Sequence, residues 1–368
     1  MSAWTKSALT LLLVVVVTVP VAGAQERVTV GPLVASFTDG SEPLHLVESM
    51  LLVGNFLYVV HRGASEVLRY SLPGGELERA TGRRGEGPGE FSWPTWLGAC
   101  DDERLFVWDG MPDRVTVYDH DLTLVRTFVV PQLASGGRPV QVRCAPNGLV
   151  ATYDNFVMEI PEGPYRREHQ LALLPLEGGE PEMLWRVRGD ERYRYSTSDG
   201  LRTFGKVQVV VGTPSGVVLG DADSWRLLEH DLEGEVVTTY ALRGEQLRPI
   251  TRSDLEAWWA YDLTKAEPYG EEVVGNRRRS QRETQYPEYY PPYAEALVVG
   301  EELWVQRYQA FTDPAQRWEV FALSGGAHLA SLETPRGFAL RAAGDSLIAG
   351  VHTDALDVET IQVYRLVR

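Results

Sequence analysis

The sequence has little positive charge and few of the side chains that usually carry local chemistry: 35 Lys and Arg stand against 51 Asp and Glu, with 7 His, 5 Met and 2 Cys in 368 residues. The resulting net charge of −16 excludes the clustered basic surface that neutralises a phosphate backbone, so no nucleic-acid partner is expected. HExxH, CxxC, GxSxG and Walker loops are all missing, so no zinc protease, dithiol redox enzyme, serine hydrolase or nucleotidase is announced by a local motif. After residue 24 no run is apolar enough to cross a bilayer, and stable membrane insertion is not expected. What is abundant are turn formers and strand formers: 35 Gly, 22 Pro, 10 Trp, 16 Tyr and 10 Phe. With 44% hydrophobic and 23% charged residues, the chain reads as globular and all-β.

The first 24 residues hold one charge, Lys6, followed by the apolar run Ala8 to Val21 and the small residues Ala22-Gly23-Ala24. This is the pattern of a signal peptide over residues 1–24, and it places the mature chain, 25–368, in a periplasm or outside the cell.

A turn-then-strand unit recurs along the chain. Aligned on the first strand residue it falls at Leu57, Leu105, Leu149, Val217, Leu303 and Leu347, at spacings of 48, 44, 68, 86 and 44. Short antiparallel strands in such a unit cannot bury both faces until neighbouring units stack, which is the logic of a propeller blade. Six units predict a six-bladed β-propeller. The long spacings predict insertions at about 183–205 and 244–293, after the third and fourth blades. The last unit has room for three strands, and the strand-like stretch Arg27 to Phe37 is left over, so an N-terminal strand is expected to close the last blade.

Residues 82 to 128 resemble an NHL repeat. The likeness rests on Gly82, the turn Gly85-Glu86-Gly87-Pro88-Gly89-Glu90-Phe91, Pro94, Leu105-Phe106-Val107-Trp108-Asp109, Asp113-Arg114-Val115 and Tyr118-Asp119. Asp113 stands where the family usually has Asn, and the turn before Leu105 lacks its usual Gly. The mature chain as a whole resembles the six-bladed, NHL-like propellers that many envelope-bearing bacteria export, with Val351 to Glu359 and Val363 to Leu366 similar to their last blade. The resemblance implies the fold; propellers of this kind bind proteins, bind ligands, sense or catalyse.

Gly85-x-Gly87-x-Gly89 does not read as a phosphate cradle, because Pro88 removes a donor, Glu86 and Glu90 repel anions, and strand-like sequence follows. It reads as a tight turn whose flanking Arg83 and Arg84 either reach an anionic ligand or lie in water. A propeller site is assembled across blades, where each second strand ends. Counting along the repeat places His61, Arg62, Asp109, Asp154, Asp221, Arg307 and His352 there. Asp109, Asp154, Asp221, His61 and His352 form an alternative set for Ca²⁺ or Zn²⁺, or for acid–base work; otherwise each Asp caps its own turn, with Asp109 pairing Arg114. Cys100 and Cys144 share one phase on consecutive inner strands. They form either a disulfide or two buried thiols, because matched inner-strand positions are expected to lie roughly 8 Å apart, beyond disulfide reach.

In the longer insertion, Ser253-Asp254-Leu255-Glu256 reads as a capping box opening a helix from Asp254 to about Lys265. Trp258, Trp259, Tyr289 and Tyr290, with an arginine cluster around Arg278, suit a lid over the central channel that takes a sugar, a peptide or a carboxylate; the competing arrangement packs the Trp pair against the blades. The expectation is an exported binding module for a small molecule, glycan, peptide or protein, acting through its funnel face without cofactor or catalysis. The alternative is a metal-assisted hydrolase or lyase similar in layout to lactonase-type propellers.

Overall fold

The computed structural model describes residues 28–38, 43–155, 160–196, 198–354 and 358–368. The leader, Arg27 and residues 355–357 of the last-blade resemblance lie outside them. Strand β1 (Thr29–Phe37) is followed by β2 (Val47–Val53), β3 (Phe56–His61), β4 (Glu66–Ser71) and β5 (Glu76–Thr81), which make sheet 1. Sheet 2 comprises β6 (Pro94–Gly98), β7 (Arg104–Asp109), β8 (Arg114–Asp119) and β9 (Leu124–Val129). Sheet 3 comprises β10 (Arg138–Ala145), β11 (Gly148–Asp154), β12 (Gly163–Pro175), β13 (Glu182–Arg194) and β14 (Asp199–Leu201). Sheet 4 comprises β15 (Val209–Gly212), β16 (Val217–Gly220), β17 (Arg226–His230) and β18 (Val236–Ala241). Helices α1 (Arg252–Ala266) and α2 (Glu271–Glu283) precede sheet 5, made of β19 (Tyr293–Val299), β20 (Glu302–Arg307), β21 (Arg317–Ala322) and β22 (His328–Glu333). Sheet 6 holds β23 (Phe338–Ala343), β24 (Leu347–Thr353) and β25 (Glu359–Val367), with β1 as its outer strand, paired antiparallel to β25 from Thr29↔Val367 to Phe37↔Ile361.

Burial explains why these segments are strands. In β7 the run Leu105 to Asp109 is buried on both faces, because each sheet is covered on either side by a neighbour. The outer strand β5 (ELERAT) is exposed almost throughout, and its charges protect a sheet edge. Apolar clusters fill the seam between each neighbouring pair of sheets, and one of them joins Val47, Leu57 and Tyr70 of sheet 1 to Phe37, Ile361 and Val363 of sheet 6. The sheets therefore close into a ring, a β-propeller whose first strands line the axis. The aligned residues Leu57, Leu105, Leu149, Val217, Leu303 and Leu347 all lie in the second strands.

Turn chemistry at sheet 2 follows from conformation and close approach. A Cβ on Gly82 would lie 2.8 Å from the Ser65 carbonyl oxygen and 2.9 Å from the Phe91 ring, and Gly82 has φ +100°. Asp113 adopts φ 51°, the left-handed region that Asn and Asp enter most readily, which accounts for an acidic residue in a place that resembles an Asn position.

The longer insertion holds α1 and α2, where a helix was expected, and the shorter one takes a different form. The shorter one extends the third sheet itself: β12 and β13 run 13 residues each and carry β14 at their far end. The helix start is also corrected. The capping box is Thr251 with Asp254, not Ser253 with Glu256, and the helix begins at Arg252. Asp254 sits almost buried at N3, where it accepts from the Thr251 backbone N–H and hydroxyl and lies 3.7 Å from Arg248, so the earlier register satisfies a carboxylate that the later one would strand. No helix among the described residues is long and apolar enough to cross a membrane.

Candidate functional site: the ring face that carries both insertions

Each second strand ends, and each link to the next sheet begins, at the same end of the ring. The start of β12, the end of β13 and β14 project at this end, as does the α1–α2 segment, and the two lock to one another. Tyr193 donates to the Glu283 carbonyl at 2.6 Å, the Tyr195 and Thr284 hydroxyls lie 3.1 Å apart, and Arg202 donates to the Gln285 carbonyl at 2.9 Å. Phe204 packs against Trp258, Tyr286 and Tyr290, giving this cap an aromatic core of its own. Trp259 donates its indole N–H to the Tyr286 hydroxyl at 2.8 Å. The Trp pair is thus used in holding the cap together, Arg278 lies exposed on α2, and Tyr289 is half exposed beside a short bridge to Pro249.

Beneath the cap, between sheets 4 and 5, is a cleft of about 410 Å³. Tyr290 and Tyr308 stack at 5.4 Å in its wall, Arg248 lies over Tyr290, and Arg307 lies 4.9 Å over Trp225. The arginines are already neutralised: Arg248 pairs with Asp313 at 2.8 Å, and Arg307 pairs with the buried Glu319 at 2.5 Å and with Glu245. Burial pushes the Tyr308 phenol up to about 12, so it stays a neutral donor through the physiological range.

The axial channel is a separate space of about 570 Å³, lined by the first strands of all six sheets, and no residue of the α1–α2 segment lines it. Its wall is apolar at Leu52, Leu97, Val211 and Leu297 and polar or charged at Glu48, Gln141, Arg143, Glu295 and Arg341. Several first strands bulge here, and Glu48 and Arg341 are the extra residues that the bulges leave unpaired and re-aim. Glu48 is bound by Arg62 at 2.5 Å. Arg341 stands 3.7 Å from Glu295, whereas Arg143 has no carboxylate in ion-pairing range among the described residues. The Arg143 guanidinium donates to its neighbour's Val142 carbonyl and lies 5.7 Å from the Trp96 ring. Confinement between the sheets lowers it to about 10, against the opposing pull of Glu295, and it remains cationic at neutral pH. The same confinement raises the Glu295 carboxyl, although Arg341 and Arg143 oppose the rise and its side chain keeps 39% of its surface open to the lumen. Sequence reasoning missed Arg143, Glu295 and Arg341, since it counted positions after each aligned strand residue and these three precede theirs.

The residues counted along the repeat are dispersed into local roles. Fully buried Asp109 accepts from the Ser92 and Trp93 backbone N–H groups at 2.8 and 2.6 Å and lies 3.6 Å from Arg114, which donates to the Glu86 carbonyl; together they clamp the Gly-rich turn. Asp154 pairs with Arg167 at 2.7 Å, Asp221 accepts from the Asp223 backbone N–H, and Nε2 of buried His61 accepts from the His45 backbone N–H at 3.3 Å. His352 packs beside Gly337. No group of three or more His, Cys, Asp or Glu residues suited to a metal occurs among the described residues, so His61, Asp109, Asp154, Asp221 and His352 are not brought together. Arg62 lies 4.0 Å over Trp93, Arg83 pairs with Glu90 at 2.6 Å on the surface, and Arg84 bridges to Phe91 through its backbone. Cys100 and Cys144 are disulfide-bonded; their Cα atoms lie 5.0 Å apart rather than near 8 Å, because Cys100 has left β6 and turned toward β10.

No protein-family model matches the chain, and a search of curated proteins finds no match either. Among solved structures the chain is similar to a protein from Bacteroides fragilis NCTC 9343 taken to be exported, at 11% identity and a TM-score of 0.54, covering 94% of this chain and 96% of that one. It is also similar to a member of the DUF4221 family from Bacteroides vulgatus ATCC 8482, at 10% identity and a TM-score of 0.53, covering 94% and 97%. At these identities the likeness is one of fold: the chain shares its β-propeller architecture with these proteins along nearly their whole lengths.

Proposed function

We propose that this chain is an exported, six-bladed, NHL-like propeller that works as a binding module through its capped face, with no chemistry of its own. Export is supported by the leader pattern of residues 1–24 and by the description of the Bacteroides fragilis neighbour. The observation that carries the binding reading is that both departures from the repeat rise from one face and lock to each other, and that their shared aromatic core packs against Tyr290 and Tyr308, which line the cleft with Arg248 and Arg307. Long insertions in a compact repeat fold are commonly functional, and pockets form readily between structural units. Each cleft arginine already has a carboxylate partner, so the cleft offers guanidinium and phenol donors without excess charge. That chemistry suits an uncharged, hydroxyl- or amide-rich ligand, either a glycan or a peptide segment. The metal-assisted reading is not taken further, because its five residues serve separate turns and pairs.

The test is a glycan array and a peptide array probed with the full chain, followed by calorimetry on hits. Replacing Arg248 and Tyr308 together by Ala is expected to weaken a hit by about tenfold or more, equivalent to about 1.4 kcal/mol. Hits whose affinity is unchanged in that variant, or no hit on either array, would overturn the assignment.

A further inference from the structure

The axial channel presents a problem of charge that the cleft does not. A guanidinium enclosed by protein loses hydration, and enclosed charges are ordinarily paired. Arg69, Arg104, Arg167 and Arg307 all follow that rule, each with a carboxylate within 3 Å. Arg143 does not: its contacts are a main-chain carbonyl and the Trp96 ring. Arg341 faces Glu295 only at 3.7 Å, and its Nε is buried without an acceptor. With Glu48 already held by Arg62, the lumen has one cation in excess, inside a protein whose net charge is −16. Around and between these groups the wall is apolar at Leu52, Leu97, Val211 and Leu297.

We propose that the axial channel is a binding site for a small amphiphilic carboxylate, its carboxylate held by Arg143 and Arg341 and its apolar tail directed along the Leu52, Leu97 and Leu297 wall. The guanidinium fork matches a carboxylate in two parallel N–H···O bonds, and the ligand supplies the anion that Arg143 lacks. Glu295 repels a second negative charge, which favours a monocarboxylate over a dicarboxylate. The space, about 570 Å³, falls within the range of small-molecule pockets. This inference is independent of the cleft, which uses other residues and a different ligand chemistry.

The experiment is calorimetric titration of the full chain with hexanoate and with benzoate, using hexylamine as the control that keeps the tail and reverses the charge. One-to-one binding of either carboxylate and none of hexylamine is expected. Arg143→Gln should weaken carboxylate binding by about tenfold, Arg341→Gln should also weaken it, and Arg252→Gln, on the exposed side of α1, should leave it unchanged. A readout that needs no variant is phenylglyoxal labelling followed by peptide mapping, in which hexanoate should protect Arg143. Absence of binding at 10 mM of either carboxylate (a ceiling of about −2.7 kcal/mol), affinity unchanged in Arg143→Gln, or Arg143 labelled equally with and without hexanoate would each overturn the proposal. Loss of array hits with hexanoate binding retained would remove the cleft assignment and leave this one standing.

Discussion

The Tyr193 hydroxyl donates to the main-chain carbonyl of Glu283, 90 positions later, and so fastens the projecting end of β13 in sheet 3 to the last turn of α2. Tyr193 is nearly buried, and the ring of its neighbour Tyr195 packs against it, tilted, at 4.7 Å. Removing the oxygen leaves the ring in place and a carbonyl without its donor. Tyr193→Phe is expected to cost about 1 kcal/mol. Amide hydrogen exchange should show faster opening in α2 with little change in β7 or β20; uniform acceleration would place the tether in the global fold instead.

The Cys100–Cys144 bond ties sheet 2 to sheet 3 across a sequence separation of 44. A cross-link of that span removes loop-closure entropy from the unfolded chain worth roughly 4 kcal/mol in the polymer model. The Cys100→Ser, Cys144→Ser double variant should therefore unfold at lower denaturant, and reductant should shift the parent chain toward the variant's midpoint but leave the variant where it is. Equal midpoints for both chains under oxidising conditions would show that the bond adds nothing.

Asp109 has no exposed surface and holds two backbone N–H groups of the Gly-rich turn. Asp109→Ala strands both donors beside Arg114 and is expected to destabilise by about 3 to 5 kcal/mol, the cost of breaking a buried charged pair. Thermal melting would detect this. A stable variant with weakened ligand binding would instead assign Asp109 to a site.

Glu229 is a buried carboxylate. Burial raises its pKa, but hydroxyl donors from Ser215, Thr213 and Tyr240 outweigh that and hold it below its ordinary 4.5. A lowered folded pKa means the carboxylate adds stability above the unfolded value, and that this part is lost as pH falls below it through the folded value. Glu229→Gln should thus melt below the parent at pH 7, with the gap narrowing between pH 5 and the acid limit of folding. A gap constant with pH would separate the loss from ionisation.

How far the sequence could be read depends on what repeats. The six aligned positions from Leu57 to Leu347 fall in second strands because every sheet needs the same apolar pair beside the same turn, so selection for packing writes a period into the chain. The spacing of 86 was legible as an insertion, but the helix start was not: Thr251 and Ser253 both precede an acidic residue three positions on, and only Arg248 and Thr312, brought near by folding, favour the first. Arg143, Glu295 and Arg341 were invisible for the complementary reason. They belong to different sheets, and they become neighbours only when the ring closes. The disulfide was undecidable on inner-strand spacing, since Cys100 reaches Cys144 by leaving its strand.

Pairing of β1 with β25 has a temporal consequence. The outermost strand of sheet 6 is made before sheets 1 to 5, and its three companions after them, so sheets 1 to 5 can each form from contiguous chain while sheet 6 cannot. Until β25 has emerged, Phe37 and its neighbours have no final place to sit. The decisive docking event must then wait for β25, and a product interrupted or clipped before that strand would be left with both flanks of the seam uncovered.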